Sequence, residues 1–193
     1  MINKDDDAPS AWRELLRRSQ AMGFDMPSDA RTGGLLRMLA ASKPGGRLLE
    51  LGTGTGLATA WLLDGMDKAA RLVSIDNDAA VQAPAREVLG ADPRVRFVTG
   101  DGLDYIGGQP PGSCDLIFAD AMPGKYVGLE AALALLAPGG LYIGDDMLPQ
   151  PNWPDGHQAR VDGLMATLAT DRRLAVQALD WGTGFVIAVR RAA

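Results

Sequence analysis

A chain of 193 residues is long enough to bury the core of one α/β domain and short for two. Lysine and arginine number 19 against 24 acids, a net charge of −5, which argues against nucleic acid as a partner. A single cysteine, Cys114, excludes an intrachain disulfide, and no apolar run approaches the ~20 residues of a membrane span.

The stretch Met1–Asp7 is polar and acidic, unlike a signal peptide, so the cytoplasm is the expected compartment. Residues 1–9 read as frayed. Ser10 is placed to cap a helix reaching about Met22, with Trp12, Leu15 and Leu16 on its apolar side. That stripe must be buried on the domain or on a second subunit, which makes a homodimer an expectation. Pro27-Ser28-Asp29 starts a second helix, Ala30 to about Ser42, stopped by Lys43-Pro44-Gly45-Gly46. These helices form an N-terminal cap over 1–42, ahead of an α/β core over 47–193, all within one domain over 1–193.

From Arg47 the pattern alternates. Strands are expected at Arg47–Leu51, Arg71–Ile75, Val95–Val98, Cys114–Ala119 and Leu141–Gly144. Helices fall between them at about Leu57–Met66, Asp78–Leu89, Leu103–Ile106 and Val127–Leu136. A Pro-rich loop, Leu148–Pro154, leads to a helix from about Asp155 to Thr170. Two final strand-like runs, Leu174–Leu179 and Phe185–Val189, leave no room for a helix and form an antiparallel hairpin. The fold class is therefore α/β: a doubly wound, mostly parallel, seven-stranded Rossmann-like sheet with a C-terminal antiparallel hairpin.

The first strand runs into Glu50-Leu51-Gly52-Thr53-Gly54-Thr55-Gly56 and then a helix. Glycines there let the backbone approach a ligand, and the helix start presents free N–H groups. The dinucleotide fingerprint G-x-G-x-x-G requires a glycine where Leu57 stands. Glu50 would repel a pyrophosphate but suits a cationic ligand. An acid followed by G-x-G-x-G resembles motif I of the class I S-adenosylmethionine-dependent methyltransferases. The resemblance implies that Glu50, Gly52, Thr53, Gly54 and Gly56 contact the methionine part of that cofactor. A nicotinamide-dependent reductase with a degenerate third glycine is the competing reading.

Ligands in open α/β sheets bind beyond the carboxyl ends of the strands. The residues expected at those ends are Glu50, Asp76, Asp101, Asp120, Asp145 and Asp146, all acidic. Asp76, followed by Asn77, lies near the ~20-residue spacing of a ribose-binding carboxylate, or else it only faces water while Asp78 caps the next helix. Asp101 and Gly102 suit the adenine. Asp120, Asp145 and Asp146 converge without a basic partner, so they share a proton or hold a cation, for which all-oxygen ligation suits Mg²⁺ or Ca²⁺. Alternatively only Asp120 points inward and the other two cap the loop.

Over about Arg31–Val189 the chain resembles the family-3 O-methyltransferases, the catechol and caffeoyl-CoA group. The matching pieces are Leu49–Gly52, Val73–Asp76, Asp115–Ala121, Tyr126 and Asp145-Asp146. The resemblance implies O-methylation of a small-molecule acceptor, with a divalent metal on Asp120, Asp145 and Asp146. Two positions depart from the family: Pro123 stands at the place of its lysine base, and Asp146 at the place of its asparagine. Base candidates are then Lys125, Asp146 and the single histidine, His157, with Asp120 at the boundary between cofactor and acceptor. Pro123 also leaves room for a protein that binds S-adenosylmethionine without catalysis.

Overall fold

Seven strands form a single sheet in the order β3-β2-β1-β4-β5-β7-β6 in the computed structural model, which describes residues 7–192. The frayed stretch expected at 1–9 therefore lies mostly outside the described residues. Preceding the sheet are α1 (Ser10–Met22) and α2 (Ala30–Ala41). The alternating part follows as β1 (Arg47–Leu51), α3 (Leu57–Gly65), β2 (Arg71–Asp76), α4 (Ala79–Leu89), β3 (Val95–Thr99) and α5 (Gly102–Gly107). It continues through β4 (Cys114–Ala119), α6 (Leu129–Ala134), β5 (Leu136–Gly144) and α7 (His157–Thr170) to β6 (Leu174–Leu179) and β7 (Phe185–Arg190).

β1 pairs in parallel with both β2 and β4, so the strand order reverses beside β1 and a crevice opens above its carboxyl end. The expected hairpin is present: β6 and β7 pair antiparallel, and β7 runs antiparallel to β5. Leu48, Leu116 and Phe118 bury one sheet face against α1, α2 and α3, while Leu49, Ile117 and Tyr142 bury the other against α7. Among the described residues no helix is long and apolar enough to cross a membrane.

The N-terminal helix finds its cover within the chain. Trp12 and Leu15 are buried, and the Trp12 and Trp61 rings meet edge-on with centroids 6.0 Å apart. No second subunit is needed for that stripe. Ser10 does not cap α1: Pro9 holds the cap position without a side-chain bond, and Ser10 is the first helical residue. Asp29 does cap α2, accepting the Thr32 N–H at 2.7 Å.

Three boundaries depart from the sequence expectation. Residues 122–127 close a turn in which the Tyr126 and Val127 N–H groups donate to the Met122 carbonyl, so α6 starts only at Leu129. Strand β5 begins at Leu136 rather than Leu141, because Pro138-Gly139 sits inside it as an irregularity instead of ending a helix, and the register shifts between Cys114 and Leu116. Gly156, at φ 79°, delays α7 to His157.

Candidate functional site

The turn after β1 is shaped by what presses on it. Gly52 has φ 99°, and a Cβ there would lie 2.7 Å from the Asp120 carbonyl oxygen. Its N–H and that of Thr53 both donate to the Ile75 carbonyl, at 2.9 and 3.0 Å, so the turn is pinned to the end of β2. Gly56 has a different task. A Cβ on it would meet the Ala85 Cβ at 2.6 Å, so this glycine lets the turn pack onto α4, and it is not among the residues that face the crevice.

Glu50 is fully buried beneath the turn and does not reach the crevice either. One carboxylate oxygen, Oε2, accepts the hydroxyls of Thr59 and Ser74 at 2.5 Å each; Oε1 has no partner. Behind it a directional relay runs through buried groups. Gln82 donates to the Thr53 hydroxyl at 2.9 Å, and the Thr53 and Ser74 hydroxyls lie 2.7 Å apart. Burial raises the Glu50 carboxyl to about 7, against the opposing pull of the Ser74 and Thr59 hydroxyls, with the Asp76 charge adding to the rise. Glu50 therefore acts on the crevice through its field and through the loop it supports. The sequence placed it in contact with the ligand because strand-end position alone does not show which way a side chain turns.

A cavity of about 630 Å³ lies over the strand ends, within the range that encloses a cofactor-sized ligand. Gly52, Thr53, Gly54, Asp76 and Asn77 line one side of it; Asp120, Asp145, Asp146 and His157 line the other. A smaller lobe of about 240 Å³ shares Gly52, Asp76 and Asn77 and adds Asp101, Gly102 and Met122. Asp76 accepts the Gly54 N–H at 2.8 Å on Oδ2 and the Asp78 N–H at 3.0 Å on Oδ1. Asp101 caps α5 through the Leu103 N–H at 2.6 Å, which leaves its second oxygen for the lobe.

The acidic end is held by the hairpin. Asp145, 3 % exposed, accepts the Thr183 hydroxyl at 2.5 Å and the Asp146 N–H at 2.7 Å, both on Oδ1. Burial, then the neighbouring Asp146 charge, raises Asp145 to about 7. Burial and the Asp145 charge hold Asp120 well above the ordinary carboxylate range, with Lys125 pulling the other way. Asp146 adopts φ 58°, a left-handed backbone that aspartate and asparagine tolerate better than most residues.

The three expected metal ligands share this rim, but among the described residues no group of three acidic, histidine or cysteine side chains is arranged to hold a metal ion. One oxygen of Asp145 already has two donors. As placed, these residues do not fit a divalent cation. Lys125 is 4 % exposed, lies outside the cavity lining and holds its ammonium 5.2 Å from the Tyr126 ring centre, so the structure does not bring this base candidate to the cavity.

His157 is brought there. Its Nε2 lies 3.1 Å from the Tyr126 hydroxyl, and its ring stacks at 41° on Trp153 with centroids 4.4 Å apart. Burial, then the Lys125 and Arg160 charges, keeps the imidazole below its ordinary 6.5. Tyr126 is pushed up to about 12, chiefly by burial, and stays a phenol. The sequence did not point to the Tyr126–His157 pair, since the partners are 31 residues apart, nor to Ser74, Thr59 and Gln82, which are ordinary core-facing polar positions until the relay assembles.

A methyltransferase domain family matches residues 49–147. A candidate O-methyltransferase of Mycobacterium ulcerans is 31% identical over 192 residues, covering 91% of this chain and 84% of its own. The structure of an O-methyltransferase from Bacillus cereus in complex with S-adenosylhomocysteine superposes with a TM-score of 0.81 at 25% identity, over 95% of this chain and 91% of that one. An O-methyltransferase from Streptomyces achromogenes, in complex with S-adenosylmethionine, gives 0.81 at 23% identity over 100% of both chains, a likeness of fold.

Proposed function

Because this chain belongs to the methyltransferase domain family, and is an S-adenosylmethionine-dependent O-methyltransferase by its relatives, we propose roles for the residues around its cavity. The observation that carries the assignment is the two-sided cavity. The glycine turn and Asp76 stand on one side, and a neutral imidazole stands on the other.

The residues present suit the cofactor. Gly52 lets the turn close against the Asp120 carbonyl where a Cβ would clash, and Asp76 has lone pairs left to accept from ribose hydroxyls. Asp101 and Gly102, in the adjoining lobe, take the adenine end. When bound, S-adenosylmethionine supplies a methyl group activated by a positively charged sulfur. A sulfonium brought to Asp120 and Asp145 favours their charged forms, and that mutual attraction draws the positive sulfur to this end of the cavity. No donor set for a divalent cation is preassembled, and the chemistry assigned here uses none.

His157 takes the proton of the acceptor hydroxyl. Nε2 is tied to Tyr126, so Nδ1 is the nitrogen left for that proton, which requires Nε2–H to donate to the Tyr126 oxygen. Trp153 fixes the ring and covers the acceptor. Most of the acceleration is then positional, from holding a nucleophilic oxygen in line with the methyl group.

Isothermal titration with S-adenosylhomocysteine and with NAD tests the reading. Saturable binding of the first and none of the second is expected. Binding of NAD alone would return the reductase alternative. Cofactor binding without methyl transfer to any of a broad set of phenols would leave a non-catalytic binder.

A further inference from the structure

We propose that Glu50 makes the cavity favour the charged methyl donor over its uncharged product, by releasing a proton to solvent when the donor binds and keeping it when the product binds. This rests on the methyltransferase reading of the cavity and goes beyond it, to how donor and product are told apart.

S-adenosylmethionine and S-adenosylhomocysteine differ by one methyl group and one positive charge. Contacts to the adenine, the ribose and the amino acid end are common to both and favour neither. Preference for the donor therefore needs a group that responds to charge at the sulfur.

Glu50 is placed for that role. It sits on β1 opposite Ser74 of β2 and Phe118 of β4, beneath the floor between the two cavity walls. Charge is felt from both sides: Asp76, in one wall, raises Glu50, and Glu50 raises Asp120, in the other. A positive charge between those walls acts on Glu50 with the opposite sign. The other elements packed around it add the Thr59 hydroxyl from α3 and, through Gln82 of α4, the Arg86 guanidinium.

The hydrogen bonds around Glu50 fit its ionised form. Arg86 and the Thr99 hydroxyl donate to the Gln82 amide oxygen at 2.9 and 2.8 Å, which turns the amide N–H toward Thr53. Thr53 then donates to Ser74, and Ser74 and Thr59 donate to Glu50 Oε2. Every donor in this series is aimed at the carboxylate. A proton on the acid is left with Oε1, a buried oxygen that has no partner. Opposing this, full burial favours the neutral acid and holds the carboxyl at about 7. The two tendencies balance near neutral pH, so one added charge tips them.

The test titrates the full-length protein with S-adenosylmethionine and with S-adenosylhomocysteine at pH 6.5, in phosphate and in imidazole buffer. Their ionisation heats differ, so the difference in binding heat counts protons. Donor binding is expected to release about half a proton or more beyond product binding. From pH 5.5 to 7.5 donor affinity should rise about tenfold, while product affinity changes far less. Asp120 and Asp145 also lie near the sulfur and add to the release, so Glu50→Gln isolates the share of Glu50. That variant should lose about half a proton of the excess and about tenfold of the donor preference at pH 7.5. Ser74→Ala keeps Glu50 but removes a hydroxyl that favours its ionised form, so the rise in donor affinity should move to higher pH. It reads the proposal even where Glu50→Gln fails to fold. Equal proton release for both ligands in the parent protein overturns the proposal. So does an unchanged excess in Glu50→Gln, an equal weakening of both ligands there, or an unmoved rise in Ser74→Ala. Binding of neither ligand defeats the cofactor reading itself, and the proposal with it.

Discussion

The Asp76 carboxylate accepts the Gly54 N–H at 2.8 Å, which ties the end of β2 to the glycine turn after β1. The residue proposed to bind ribose therefore also shapes the loop that takes the methionine part. Asp76→Ala removes both contributions. A hydrogen bond to a charged group is worth ~1.5–3 kcal/mol, so the S-adenosylhomocysteine Kd should rise about 10–100-fold. The helices should persist, because Asp78 still caps α4 on its own. Calorimetry paired with circular dichroism checks both halves. Unchanged affinity removes Asp76 from the cofactor site.

Burial makes Glu50 a pH-dependent burden. Its folded value of about 7 lies above the ordinary 4.5 of a glutamate. Between those values the native state holds a proton that the unfolded chain has released, so stability falls as pH rises through the window. The full loss is on the order of 3 kcal/mol. Asp145, also raised to about 7, adds a slope of the same sign. The cofactor-free protein should therefore be more stable at pH 5 than at pH 7.5, and Glu50→Gln should show a visibly shallower decline. Urea melts across that range read the difference, and parallel curves for the two proteins would dismiss a strained, buried Glu50.

What the sequence made visible follows from periodicity and from punctuation that coincides with it. The runs at Arg47–Leu51 and Cys114–Ala119 are short, mostly apolar and bounded by glycine, serine or aspartate, and both ends match the strands. Where punctuation and structure part, the reading failed. Ala137-Pro138-Gly139-Gly140 has the composition of a helix stop, yet β5 passes through it, because pairing of Leu136 with Cys114 outweighs local preference. The row of strand-end acids was legible, but not the direction of each side chain. Asp76 and Asp120 turn into the cavity, while Glu50 turns under the floor. The Tyr126–His157 contact depends on the angle at which α7 crosses the 122–127 turn, which no local pattern encodes.

The acidic rim leads to a prediction about metals. Asp145 Oδ1 is engaged by Thr183 and by the Asp146 N–H, and no three-ligand group is assembled among the described residues. Methyl transfer should accordingly persist in excess EDTA within about twofold, against the 10–100-fold losses typical when a needed metal site is disturbed. Asp146→Asn keeps a residue that tolerates φ 58° and should leave the fold intact. Loss of activity on chelation, restored by Mg²⁺, would show that these carboxylates rearrange around an ion.

His157 sets the acid limb of the rate profile. Burial and the Lys125 and Arg160 charges hold the ring below 6.5, so it is neutral at pH 7 and able to accept a proton. The free-enzyme limb in kcat/KM should therefore fall away only below pH 6.5, as the imidazole takes its proton before the acceptor can offer one. His157→Ala should lower kcat about 10²–10⁴-fold and abolish that limb, with S-adenosylhomocysteine affinity unchanged. Tyr126→Phe keeps the ring edge against the imidazole but removes the 3.1 Å hydrogen bond, so the tautomer is no longer fixed. Its kcat should fall less than that of His157→Ala, and its limb should survive at a shifted pH. If His157→Ala retains both rate and limb, the proton leaves by another route, and the histidine serves only to pack Trp153.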